Sequence, residues 1–177
     1  ELGLVTPGES KPGRVYSPVC LYPLRRLFIA SDRWTNPDGS PYTPGADVVY
    51  PAITRNTYRF LGLLPSAPCE RLLDLCSGSG VAALLAASGG ARLAWAVDIT
   101  SRSTRFAGFN RLLNGVANLT ALEGDLYEPV AKLAFDRIVA HPPYLPSAAT
   151  RWIFQDAGVQ GEEITRRIVE GLPDHLT

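Results

Sequence analysis

The nine residues Leu72 to Gly80, reading L-L-D-L-C-S-G-S-G, constrain this chain more than any other stretch. An apolar run carrying one acid passes straight into a loop of small residues. An alanine- and leucine-rich segment, Val81 to Ala87, follows at once. Strand, glycine turn and helix in that order present backbone N–H groups and a helix N-terminus to a ligand. Glycine is required there because a side chain would hold the ligand off the backbone.

Gly78, Gly80 and Ala83 match the pattern G-x-G-x-x-G/A, and Asp98 stands about 20 residues on, where a ribose-binding acid is expected. The motif signals a nucleoside-containing ligand without saying which. A nicotinamide-dependent oxidoreductase fits these four residues too, but leaves Asp74 without a role. A tight strand-to-helix turn that holds no ligand is the plainer alternative.

Charge narrows the classes. The 177 residues hold 17 basic and 17 acidic side chains, so no strong overall field draws nucleic acid or a membrane surface, although a local patch is not excluded. No run approaches the roughly 18 apolar residues of a membrane span, and no signal peptide is visible. Cys20, Cys69 and Cys76 form no C-x-x-C pair, which argues against a disulfide framework or a metal site and fits a reducing cytoplasm. Cys76, inside the loop, reads as a small side chain rather than a nucleophile. The chain begins at Glu1 and contains no methionine, which reads as a trimmed or incomplete chain.

Residues 1–17 are rich in Pro, Gly and charge and read as a leader. Val19 to Trp34 is strand-like, Asn36-Pro37-Asp38-Gly39 a turn, and Asp47 to Tyr50 a short strand that pairs back as a hairpin. Ala52 to Leu64 reads as a helix ended by Pro65. These form an N-terminal appendage over 1–68. From Cys69 strands and helices alternate, the mark of a parallel α/β sheet. The expected strands are Arg71–Cys76, Arg92–Asp98, Leu119–Glu123 and Phe135–Ala140. The expected helices are Val81–Ser88, Ser101–Leu113 and about Glu162–Gly171.

Strand ends of such a sheet point into the ligand crevice. Asp74 with its loop, Asp98, Asp125 and the turn His141-Pro142-Pro143-Tyr144 all fall at strand ends. Asp98 closes the apolar run A-W-A-V-D, where a carboxylate accepts two ribose hydroxyls; a helix cap is the alternative role. Asp125 reads as a contact to an adenine amine or as an ordinary turn residue. Two consecutive prolines fix an extended backbone and remove two N–H donors, leaving carbonyls free to face a ligand. Tyr144 adds an aromatic plate. A rigid acceptor array beside a plate suits a planar amine or amide nitrogen.

Taken together and in this order, these motifs resemble those of class I S-adenosylmethionine-dependent methyltransferases. H-P-P-Y is similar to the N/D-P-P-Y/F signature of enzymes that methylate planar nitrogens. Within these, F-D-R-I-V-A-H-P-P-Y-L-P and Q-D-A-G-V-Q-G-E-E-I-T-R-R-I-V-E-G-L-P resemble the HemK-related, methyltransferase small domain group, over roughly residues 45–177.

The resemblance implies a three-layer α/β/α Rossmann-like domain over 69–177 with S-adenosylmethionine as cofactor. Asp74, Cys76, Gly78 and Gly80 would cradle its methionine part, Asp98 its ribose, and Asp125 and Leu126 its adenine. His141, Pro142, Pro143 and Tyr144 would hold the acceptor nitrogen, of a protein glutamine or of a nucleobase amine. Cys76 replaces the group's usual glycine, and His141 its usual Asn or Asp. The group's sheet also continues with further strands past the last helix, which would leave the fourth strand as an exposed edge. A non-catalytic module of the same fold is the remaining alternative. The sequence gives no oligomeric state.

Overall fold

The computed structural model describes residues 6–8, 12–149 and 151–177; part of the expected leader, 1–5 and 9–11, lies outside them. Strands β1 (Thr6–Pro7) and β2 (Val15–Tyr16) form a small antiparallel pair. β3 (Val19–Leu24) and β4 (Leu27–Asp32) follow as an antiparallel hairpin. Then come α1 (Arg55–Leu63), β5 (Cys69–Leu75), α2 (Val81–Gly89), β6 (Ala91–Asp98), α3 (Ser101–Leu113), β7 (Leu119–Glu123), β8 (Arg137–Ala140) and α4 (Glu163–His175).

The central sheet is parallel, in the order β7-β6-β5-β8. Its two middle strands are buried on both faces, as their near-continuous apolar runs require. Leu72, Ala94 and Ala96 point to one face, onto Leu84 of α2, Ala107 of α3 and Ile29 of the hairpin. Leu73, Leu75 and Val97 point to the other, onto Val130, Phe135 and Ile168 of α4. The fold is therefore α/β in three layers, as the alternation of elements implied. The chain reverses direction across the sheet between β5 and β8. That switch point opens a crevice at the carboxyl ends of the strands.

Three expectations need correction. The hairpin lies wholly within Val19–Asp32 and turns at Arg25-Arg26, between the paired Leu24 and Leu27. Arg25 takes φ 54 there without glycine, so no local turn signal announced it. Asp47–Tyr50 forms no strand. It meets the end of β4 through the Asp32 N–H donating to the Val49 carbonyl at 3.2 Å, while the Asp32 carboxylate accepts from the Val49 N–H at 2.8 Å. α4 also passes Gly171 and runs to His175. Gly171 is a close-approach site rather than a stop, since a Cβ there would stand 2.3 Å from the Tyr127 ring. Beyond α4, Phe135 donates to the His175 carbonyl and accepts from the Thr177 N–H.

Two asparagines bind the hairpin to α3. The Asn110 side chain accepts from the Ala30 N–H at 2.7 Å and donates to the Ala30 and Ser79 carbonyls at 2.9 Å each. One turn on, Asn114 accepts from the Phe28 N–H and donates to the Phe28 carbonyl, both at 2.8 Å. The outer edge of β4 thus pairs with two amide side chains in place of a strand. Arg102 of α3 grips the buried Asp32 carboxylate through two nitrogens, at 2.7 and 2.5 Å. No described helix is long and apolar enough to cross a membrane.

Candidate active site

Parallel register brings the strand ends level. Leu75 pairs with Val97 on one side and Ala140 on the other, so Cys76 emerges between Asp98 and His141. These residues open on a cavity of about 220 Å³ at the switch point. Its sheet side is lined by Asp74, Cys76, Gly78, Asp98 and the whole turn His141 to Tyr144.

Asp74 is 2% exposed and has one hydrogen bond, from the Ala83 N–H at 3.0 Å. Burial pushes its carboxyl up to about 7, and the nearby Asp98 charge adds to the rise. Asp98 ends β6 and accepts from the Gly78 N–H at 2.8 Å and from the Thr100 N–H at 3.1 Å. Helix α3 is capped by Thr100, whose hydroxyl accepts from the Ser103 N–H. Asp98 therefore holds the glycine loop in place and keeps lone pairs for a ligand. Burial and the surrounding Asp98, Asp74 and Asp125 charges push the Cys76 thiol up to about 12. It stays a neutral thiol, not a nucleophile.

The two loop glycines do different work. Gly78 has φ 53 and nothing within 4 Å of where a Cβ would stand. Gly80 lies outside the cavity wall, with φ 75, and a Cβ there would stand 2.8 Å from the Ala107 Cβ. It sets how closely α2 and α3 approach. Asp125 and Leu126 also lie outside the wall. Asp125 accepts from Arg167 of α4 at 2.8 Å, and Leu126 is buried in the core beneath α4.

His141 carries its ring against Phe60, with centroids 4.9 Å apart and an interplanar angle of 28°. The covered face loses water, which pushes the imidazole below its ordinary value of 6.5. The residue as a whole still faces solvent on its other side. Tyr144 is exposed beside it.

Sequence reasoning missed the other wall of the cavity. Val48 to Tyr50, Ala52, Thr57 and Phe60 come from the expected appendage, and Ile153 to Gln155 from the segment after the proline turn. The Ile153 N–H donates to the Ala46 carbonyl at 2.9 Å, and Phe154 stacks on Tyr50 at 4.8 Å. The one sequence signal here was Thr54, the N-cap of α1, whose hydroxyl accepts from the Thr57 N–H. Ser77 was missed as well. It is 8% exposed, lines the cavity, and its Oγ has no hydrogen-bond partner among the described residues.

The family model described as methyltransferase small domain matches residues 53–163. The chain belongs to the methyltransferase small domain family. A ribosomal protein uL3 glutamine methyltransferase of Bradyrhizobium diazoefficiens is 36% identical over 121 residues, 61% of this chain and 38% of that protein. A release factor glutamine methyltransferase of Thermodesulfovibrio yellowstonii is 34% identical over 77 residues, 43% of this chain and 28% of that protein. The chain thus spans well under half the length of these two curated relatives. Among solved structures, a ribosomal protein L11 methylase of Lactobacillus delbrueckii subsp. bulgaricus aligns with TM-score 0.52 and 25% identity, over 68% of this chain and 52% of that one. An S-adenosylmethionine-dependent methyltransferase of Agrobacterium tumefaciens has TM-score 0.56 at 17% identity, covering 94% of this chain and 51% of that one, a likeness of fold.

Proposed function

We propose that this member of the methyltransferase small domain family binds S-adenosylmethionine and directs its methyl group to the side-chain nitrogen of a protein glutamine, in the cytoplasm. The observation that carries this is the shared cavity: the glycine loop with Asp74 and Asp98, and the turn from His141 to Tyr144, line the same space. The protein acceptor is supported by the glutamine methyltransferases the chain is similar to. In this reading residues 69–177 are the methyltransferase domain, and residues 1–68 an appendage that walls its cavity.

The residues present fit the cofactor. Ser77 Oγ is a buried hydroxyl in the cavity wall with no hydrogen-bond partner among the described residues, and Gly78 leaves open space beside it. Asp74, Cys76, Gly78 and Ser77 would hold its methionine part and Asp98 its ribose. Asp125 and Leu126 would meet adenine at the edge under α4, and Gly80 contributes by packing. The bound cofactor supplies an electrophilic methyl group.

This chain supplies position, dryness and a proton acceptor. Pro142 and Pro143, both in the cavity wall, would offer carbonyls on a backbone already fixed, which lowers the entropic cost of binding. The Pro142 carbonyl and the His141 ring accept N–H groups of an amide, and Tyr144 covers its plane. Burial, with the Phe60 ring against one face, pushes the His141 imidazole below 6.5 and favours the neutral ring, which can take the proton that a methylated amide nitrogen must lose. The nicotinamide alternative has no use for this turn.

Transfer from tritiated S-adenosylmethionine to glutamine-containing peptides tests the reading. Label on the peptide, reduced about 100-fold by His141→Ala with cofactor binding retained, is the expected result. Label found only on nucleobase amines of an oligonucleotide would overturn the protein acceptor. Cofactor binding with no transfer to either would favour the non-catalytic module.

A further inference from the structure

The charges of this chain balance in number but not along the sequence. Residues 19–31 carry Arg25 and Arg26 and no carboxylate, and residues 48–69 carry Arg55 and Arg59 and no carboxylate. The fold sets these two stretches side by side. The hairpin tip and α1, with α2 beneath, line a shallow groove that includes Leu24, Arg25, Tyr58, Leu61 and Leu85. Helix α1 separates this groove from the cavity: Thr57 and Phe60 face the cavity, Tyr58 and Leu61 the groove.

Arg55, Tyr58 and Arg59 lie three and four residues apart, so they share one face of α1. All four arginines are exposed. The ion pairs found among the described residues involve Arg92, Arg102, Arg166 and Arg167 instead. Tyr58 is 48% exposed, a large aromatic on a surface helix with no ring partner among the described residues. Arg25 also holds φ 54, where glycine or asparagine is cheaper, and keeps a long cationic side chain at the tip.

We propose that this groove docks single-stranded nucleic acid. Arg25 at the groove, with the exposed Arg26, Arg55 and Arg59 on the elements that border it, makes no ion pair among the described residues, and such a cluster suits a run of phosphates. An exposed ring beside an apolar floor suits an unstacked base. A peptide of acidic residues alone would use the charges but neither the plate nor the floor. A strand held here lies about one helix width, roughly 10 Å, from the cavity. The docking partner is separate from the methyl acceptor, and its binding is read without cofactor. It therefore stands or falls apart from the methyl-transfer reading.

Fluorescence anisotropy of a labelled oligouridylate of about twelve nucleotides tests the proposal on the whole chain. Neutralising about four phosphates predicts a roughly 50-fold loss of affinity between 50 and 200 mM salt. Arg55→Glu with Arg59→Glu should weaken binding at least tenfold and flatten the salt dependence. Tyr58→Ala should weaken it several-fold at every salt concentration. Arg25→Ala with Arg26→Ala repeats the test on a different element, should the helix variant fail to fold. Absence of binding by the wild type at 50 mM salt, or unchanged binding by the folded arginine variants, would overturn the proposal. So would competition by a poly-glutamate peptide as effective as by the RNA.

Discussion

The imidazole of His141 stacks on the ring of Phe60, centroids 4.9 Å apart, although the two residues come from opposite walls of the cavity. The contact covers one face of the imidazole. Burial pushes the His141 value below the ordinary 6.5, which favours the neutral ring at pH 7. Methyl transfer should therefore fall on the acid side with a midpoint under 6.5. Phe60→Ala returns water to the ring and should move that limb upward. A profile of kcat/KM against pH for the two proteins checks this; an unmoved limb would contradict it.

Asp74 makes stability fall as pH rises. Its folded value of about 7 lies above the ordinary carboxyl value of about 3.9. Between those values the folded state binds more protons than the unfolded one, and ∂ΔG/∂pH of unfolding is negative. The penalty is absent below about pH 4 and fully present above about pH 7. The thermal midpoint should drop from pH 5 to pH 8, and Asp74→Asn, which keeps an acceptor for the Ala83 N–H, should flatten that drop. Thermal melts across the range give the answer.

Asn110 is fully buried and serves three backbone groups on two elements. Asn110→Ala strands the Ala30 N–H and two carbonyls, at about 1–3 kcal/mol for each group left unsatisfied. A loss of roughly 3 kcal/mol by urea denaturation is expected. Asn114→Ala should cost less, because its hydrogen bonds to Phe28 are exposed to water.

Gly78 and Gly80 should separate binding from stability. Gly80→Ala forces a Cβ within 2.8 Å of Ala107 and should destabilise the fold by about 2 kcal/mol or more. Gly78→Ala meets no atom within 4 Å and carries only the left-handed backbone cost of about 1 kcal/mol. Its methyl group would instead enter the ligand space. Denaturation midpoints and cofactor titration, run on both variants, distinguish the two effects.

The sheet was legible because its signals are local. Ser101–Leu113 and Leu119–Glu123 stand at the residues expected, since Thr100, Asn114 and Gly115 punctuate the chain there. The Asp98 and His141 positions followed from strand ends alone. The appendage was less legible. Its hairpin turns at two arginines, with no glycine or asparagine to mark it. The wall is held to the hairpin by Asp32, 17 positions before Val49, and the hairpin to α3 by Arg102 and Asn110, 70 and 80 positions from their partners. Periodicity carries no record of such pairings. The aromatic contact between Tyr50 and Phe154 was hidden for the same reason.

The central claim is that the crevice around Asp98 takes S-adenosylmethionine. Calorimetric titration with S-adenosylhomocysteine, beside NADH, tests it most directly. Asp98→Ala removes the anchor of the Gly78 N–H together with the proposed ribose contact. Charged hydrogen bonds of about 1.5–3 kcal/mol correspond to a loss of roughly 10- to 100-fold. Micromolar binding of S-adenosylhomocysteine by the wild type, at least tenfold weaker binding by Asp98→Ala, and no binding of NADH are expected. Binding of NADH in its place, or equal affinity in the two proteins, would contradict the claim.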